Sequence, residues 1–279
     1  MATSDSRVAV KAGKSKFNLQ TLPAVDYPVM TKAVGTNTVT ITIPQNTLKG
    51  LFKQVEFAMA QQDIRYYLNG LLFEIDGNRL NIVGTDGHRL SFTSTELSRS
   101  YDKQNIIIPR KTIIELIKLL EDSDNEVSVE VSATQVNFNF NDIKLITKVI
   151  DGKFPDYTRV IPVGHQNNFT VDRMTVLLAM QRASILSNEK YRGIRMVLGT
   201  NSLRLISTNS EQEEAEEELE VNYTGDTLDI GFNVTYLIDV LNNVTSPEVV
   251  FSFADANSSC LLTVPNDDNY KYVVMPMRI

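Results

Sequence analysis

Thiols and imidazoles are scarce in this chain of 279 residues, which has one cysteine, Cys260, and two histidines, His88 and His165. A single thiol cannot close a disulfide within the chain, and that fits a reducing, cytoplasmic setting. Neither can it build a thiolate zinc site, and the two histidines lie too far apart in sequence to suggest a metal cluster, so no metal and no cofactor is expected. No apolar run reaches the roughly 18 residues of a membrane span. The opening MATSDSRVAVKAGKSK has no apolar stretch of the secretory kind, so no membrane association is expected. There is no GxSxG elbow and no phosphate-cradling glycine loop. Asp86 and His88 are close in sequence but flank a glycine in a turn signal, so no catalytic residue and no enzyme is expected.

What is present is ordinary for a soluble globular protein: 42% hydrophobic and 22% charged residues, with length enough for two cores. The net charge of -7 argues against a basic-bodied, sequence-specific nucleic-acid binder. It leaves open a protein whose positive charge is gathered on one surface.

An internal repeat organises the chain. Four segments carry the apolar stripe of an amphipathic helix: Leu48, Leu51, Phe52, Val55; Ile113, Leu116, Ile117, Leu120; Val176, Ala179, Met180, Ala183; and Leu237, Val240, Leu241, Val244. Their starts are 65, 63 and 61 residues apart. Each follows a short β-rich run: VTITIP (39–44), NIIIP (105–109), NFTV (168–171) and TLDIGF (227–232). Pro44 and Pro109 stand where a strand stops and a helix starts. Thr112 with Glu115 reads as a capping box. After the helices, LLFEIDGNRLNIVGTDG (71–87) aligns with IRMVLGTNSLRLISTNS (194–210) at an offset of 123, and Asp76-Gly77 and Asp86-Gly87 signal hairpin turns. KFNLQTLPAVDYP (16–28) matches KLITKVIDGKFP (144–155), with Tyr27-Pro28 over Phe154-Pro155. The expected class is α+β, built from strand–helix–strands units, two per domain. The expected domains are 1–36, the end of a domain whose body is absent, then 37–166 and 167–279.

Seven segments carry a resemblance: RYYLNGLLFE (65–74), GTDGHRL (84–90), DGKFPDY (151–157), ILSNEKYRGIR (185–195), EQEEAEE (211–217), IGFNV (230–234) and YVVMPMRI (272–279). In these the chain resembles the bacterial beta clamp, the beta subunit of DNA polymerase III, from about residue 7 to its end. The resemblance implies the DNA clamp fold, with helices on the inner face and sheets outside. It implies a processivity factor that encircles duplex DNA without reading sequence. Its partners would be the polymerase III alpha subunit, the clamp loader, and other polymerases and repair proteins that carry short motifs. Full-length members form a head-to-tail homodimer ring. Lacking most of a first domain, this chain is expected to be mainly monomeric or weakly self-associated, with Ile185 and Leu186 at the joint that closes the ring.

Carried over residue by residue, the pocket for partner peptides involves Leu68, Thr85, Gly87, His88, Arg89 and Leu90, then Pro155, Arg159 and Val160. Tyr191, Asn233, Tyr236, Ser259, Val273, Val274, Met275, Pro276, Met277 and Arg278 complete it. Methionines and small aliphatics suit an adaptable apolar groove, and Arg159, Asn233 and Arg278 suit a backbone or glutamine amide. Tyr191 stands where the family often has phenylalanine, and Asn257 replaces an expected aliphatic. The residues expected to face DNA are Lys49, Lys53, Gln62, Tyr66, Tyr67, Lys111, Lys118 and Arg182, with Arg173 beside the third helix. The acid-rich run 211–220 is expected on an outer surface.

Overall fold

The computed structural model describes residues 2–4, 6–27 and 38–279, in two compact units, Met1–Val34 and Gly35–Ile279. The expected boundary at 36/37 and Pro28 lie outside the described residues. In the smaller unit β1 (Ala2–Ser4), β2 (Arg7–Ala12) and β3 (Ser15–Gln20) form an antiparallel sheet in that order. β3 is exposed along its length, Phe17 and Leu19 included.

The larger unit runs the same programme twice. The first repeat has β4 (Val39–Pro44), α1 (Gln45–Val55), β5 (Gly70–Thr85), β6 (Arg89–Pro109), α2 (Arg110–Leu119), β7 (Glu126–Val131), β8 (Gln135–Phe140) and β9 (Ile143–Lys148). The second has β10 (Asn167–Asp172), α3 (Arg173–Ala183), β11 (Gly193–Gly199), β12 (Ser202–Thr208), β13 (Glu214–Glu220) and β14 (Leu228–Asn233). It continues with α4 (Val234–Asn243), β15 (Glu248–Phe253), β16 (Cys260–Val264) and β17 (Asp267–Val274). All four expected helices are present, and their stripes are buried because each faces a sheet across a shared core.

The helix starts differ in detail. Pro44 and Pro109 hold the extended cap position of α1 and α2, whereas Asp172 and Asn233 accept hydrogen bonds from the amides of Thr175 and Thr235. The expected Thr112–Glu115 capping box does not form. Pro109 already starts α2, so Thr112 lies inside the helix, with its hydroxyl 2.9 Å from that of Thr147, while Glu115 pairs with Lys118.

β5 doubles back on itself. Residues 70–75 pair with 104–109 of β6 and 79–85 pair with 90–96, with register breaks at Gly77. The Asn81 amide donates to the Glu74 carboxylate at 3.0 Å. A straight strand would set those residues about 23 Å apart. Asp76-Gly77 is therefore a reversal, with Gly77 at φ +60°, as the turn signal anticipates.

Strand order then repeats: β4-β7-β8-β9 in the first repeat is matched by β10-β15-β16-β17 in the second. The second sheet continues, because β17 also pairs with β6 from Tyr270↔Thr93 to Val274↔Arg89. The two repeats are thus joined by backbone hydrogen bonds. A small third core, including Leu72, Leu90, Phe154, Tyr157 and Val273, packs at this joint.

Candidate functional site

At the β17–β6 joint the β5–β6 turn is held by short-range polar contacts. The Asp86 carboxylate accepts from the amides of His88 (2.9 Å) and Arg89 (3.0 Å) and from Arg89 Nε (3.1 Å). Thr85 Oγ1 donates to the Arg89 carbonyl at 2.6 Å and accepts from the Gly87 amide at 3.1 Å. Gly87 sits at φ +89°, a conformation that favours glycine, and a Cβ there would lie 2.8 Å from Arg65 Nη1 and push that guanidinium aside. Arg65 closes the other side, donating to the Asp86 carbonyl at 3.0 Å and to Asp63 at 2.8 Å. Those hydrogen bonds from Arg65 lower the Asp63 pKa to about 2. The chain tail is stitched to the same turn by the Met275 amide, which donates to the His88 carbonyl at 2.9 Å.

Behind the turn lies Arg89, whose side chain is only 10% exposed. It donates to Asp239 at 2.6 Å and to the Phe57 carbonyl at 2.8 Å, and lies 4.4 Å from the centre of the Tyr236 ring. Burial works against its charge, but the Tyr272 hydroxyl, Asp239 and Asp86 outweigh that and hold its pKa above the usual guanidinium value. Arg89 therefore ties the turn, the segment after α1 and α4 together from within.

The result is a cleft of about 430 Å³. Its floor is apolar and buried: Leu68, Leu90 and Val273. Its rim carries half-exposed Met275 and Val160, together with Arg159, whose side chain is 86% exposed. Thr85, Gly87, His88, Arg89, Pro155 and Ser259 are the other expected residues here, so that the lining is drawn from five stretches of chain, and Arg65 and Tyr67 join them. Arg65 had no sequence signal beyond its place in the RYY triplet, since its role comes from reaching across to the turn. Such a surface accepts an apolar side chain on the floor and offers cations to a backbone or amide at the rim.

Other expected pocket residues fall elsewhere. Tyr191, Met277 and Arg278 line a second cleft of about 380 Å³ with Asn188, Gly193 and Ile279. Here Met277 bridges to Gly231, where a Cβ would meet the Met277 carbonyl at 2.5 Å. Asn233 caps α4, Tyr236 lies under Arg89, and Val274 is fully buried. Pro276 and Asn257 line neither cleft.

The residues expected to face DNA are also spread. Lys53, Lys111 and Lys118 are exposed on α1 and α2. Lys49 is drawn to Asp122 at 2.9 Å, and Arg182 forms a double contact with Glu217 at 2.7 and 2.6 Å. Tyr66 is exposed beside Tyr67, ring centres 5.9 Å apart, and Gln62 holds φ +56°. Arg173 is spent inside the fold, donating to the Leu241 and Ser246 carbonyls at the end of α4. Ile185 is 77% exposed and Leu186 half-buried.

Two family models match the chain: "DNA polymerase III beta subunit, central domain" over residues 42–156 and "DNA polymerase III beta subunit, C-terminal domain" over 158–278. The beta sliding clamp of Pseudomonas aeruginosa is 45% identical over 99% of this chain and 75% of its own length. That of Escherichia coli is 41% identical over 98% and 74%. Among solved structures, the P. aeruginosa polymerase III beta subunit superposes with a TM-score of 0.95 at 44% identity, covering 100% of this chain and 76% of that one. A P. aeruginosa clamp bound to griselimycin gives 0.93 at 45%, covering 99% and 75%.

Proposed function

The chain belongs to the beta sliding clamp family, the beta subunits of bacterial DNA polymerase III, and on that premise we propose that the cleft beside Thr85–Leu90 is where its protein partners dock. The function is that of a polymerase processivity clamp, which works on DNA and through polymerases. The observation that carries the docking site is the convergence of Leu68, Leu90, Pro155, Val160, Val273 and Met275 on one apolar-floored cleft. A clamp of this family has been solved with griselimycin bound, so a member accepts a ligand.

The occupants are short motifs of the polymerase III alpha subunit, the clamp loader, and other polymerases and repair proteins. An apolar side chain enters over Leu68 and Leu90, and Arg159 and His88 hold the peptide backbone or a glutamine amide. The cleft beside Tyr191, Met277 and Arg278 extends the same docking face along the tail. Exposed Lys53, Lys111 and Lys118, with Tyr66, meet the phosphates of duplex DNA without reading bases, so the contact weakens with salt. Full-length relatives close as head-to-tail homodimers, with Ile185 and Leu186 at the joint. The domains are 37–166 and 167–279 behind the segment 1–36, the setting is cytoplasmic, and no catalytic step is assigned.

Fluorescence anisotropy with a labelled peptide bearing a glutamine and two apolar side chains tests the site. Met275→Ala removes a rim contact and is expected to weaken binding by roughly fivefold to thirtyfold. Unchanged affinity in both Met275→Ala and Arg159→Ala would mean that the peptide docks elsewhere.

A further inference from the structure

One wall of the docking cleft is a strap with little to hold it. From Asp151 to Gln166 the chain forms no strand, and its one regular piece is the single turn Tyr157–Arg159. Three residues of this strap, Pro155, Arg159 and Val160, line the cleft. Ile150 anchors its start on Ile107, and His165 Nδ1 lies 3.0 Å from the Ser252 carbonyl near its end. Between those points its backbone hydrogen bonds, Arg159 to Asp156 and Val160 and Ile161 to Tyr157, stay inside the strap and cannot place it on the fold. Nor is it backed by solid core, since a second cavity of about 540 Å³ adjoins it and shares Pro155 with the cleft.

Within residues 151–160 the buried side chains are Phe154 and Tyr157. Both sit in the small core that includes Leu90 and Val273 of the cleft floor. Tyr157 stacks on Phe92 at 5.6 Å between ring centres, and its hydroxyl donates to the Glu74 carboxylate at 2.5 Å. Glu74 is held in turn: the Asn81 amide donates to the same oxygen at 3.0 Å, and Lys103 Nζ lies 3.7 Å from the other. Burial, with the Glu74 carboxylate beside it, raises the Tyr157 pKa, so the phenol keeps its proton and stays a donor. The Phe154 contact is apolar and sets no direction, whereas the bond from Tyr157 is directional and ties the strap to β5.

We propose that Tyr157 and Glu74 are positioning residues for partner binding: their hydrogen bond holds the strap where Arg159 and Val160 can meet a docked peptide. The inference rests on the cleft being the docking site, although neither residue lines it. Without the bond the strap is free to shift over the adjoining cavity. Apparent affinity then falls with the fraction of molecules whose wall is in place.

Anisotropy titrations with the glutamine-bearing peptide test this, run on the full chain at a temperature where circular dichroism shows every variant folded. Tyr157→Phe keeps the ring and its stack on Phe92 but loses the hydroxyl, and should weaken binding roughly fivefold. Glu74→Leu removes the acceptor and should act alike, while Glu74→Gln keeps an acceptor oxygen and should bind close to the parent. Coupling is the sharper readout. Arg159→Ala should cost much less in the Tyr157→Phe background than in the parent, because the strap no longer presents Arg159. Met275→Ala, on another stretch of chain, should cost the same in both, whereas a merely structural role would weaken every contact equally. Parent affinity in Tyr157→Phe overturns the proposal, as does an Arg159→Ala loss of equal size in both backgrounds. If Arg159→Ala and Met275→Ala both leave the parent's affinity unchanged, the docking site itself lies elsewhere and the proposal falls with it.

Discussion

Replacing Arg89 by methionine keeps most of the side-chain volume and removes its charge and its donors. The change leaves Asp239 and the Phe57 carbonyl without their 2.6 and 2.8 Å partners and frees one oxygen of the Asp86 carboxylate that shapes the turn. Breaking a buried pair costs about 3–5 kcal/mol. The Asp239 side chain is 32% exposed and recovers water when its partner goes, so the lower end applies, about 3 kcal/mol. At roughly 2–4 °C per kcal/mol for a body of this size, Tm should fall by about 6–12 °C. A thermal melt followed by circular dichroism reads this directly. Arg89→Lys keeps a charge but cannot reach Asp239, Asp86 and Phe57 together, and should fall between the two. Peptide affinity should drop in both variants, since the turn that forms the cleft wall loses its inner support. A Tm within about 2 °C of the parent in Arg89→Met would refute the account of Arg89 as the inner tie.

Gly87→Ala forces a Cβ onto Arg65 at a positive φ; a loss of about 1–2 kcal/mol in urea unfolding, with weaker peptide binding, is expected. The Asp63 carboxyl, held down by Arg65, should titrate near pH 2 by NMR, and Arg65→Ala should return it toward its ordinary value of 3.8. Because the folded pKa is depressed, this pair contributes stability above the ordinary value and loses it as pH falls through about 2. Lys53→Glu combined with Lys111→Glu should lower DNA affinity and flatten its salt dependence by about two charges' worth, measured by titration at several ionic strengths.

Periodicity carried most of the fold. The helix stripes, the proline starts and the Asp76-Gly77 and Asp86-Gly87 turns are local, and a local pattern survives whatever the rest of the chain does. The Thr112–Glu115 reading failed for a local reason too, since Pro109 had already claimed the cap. The β17–β6 joint was not legible, because alternation reports which face of a strand is buried and is silent on what lies along its edge. Leu68, Leu90 and Val273, expected together, line one cleft. Arg89, expected in the pocket, does line the cleft, but its guanidinium is also bound from behind by Asp239 and Tyr236, a role the sequence does not report. Arg65 was missed, because its part depends on a contact with a turn more than twenty residues away.

β9 and β17 are equivalent strands of the two repeats, and among the described residues one has a neighbour on one side and the other has neighbours on both. The chain therefore carries its own internal clock for amide deuterium exchange. In β17 the amides of both edges are locked in backbone bonds, and they open only when the repeats part. In β9, which among the described residues pairs only with β8, the amides of the other edge should exchange first. The ratio of the two rates measures how firmly one sheet edge is covered, with stability, temperature and solvent common to both.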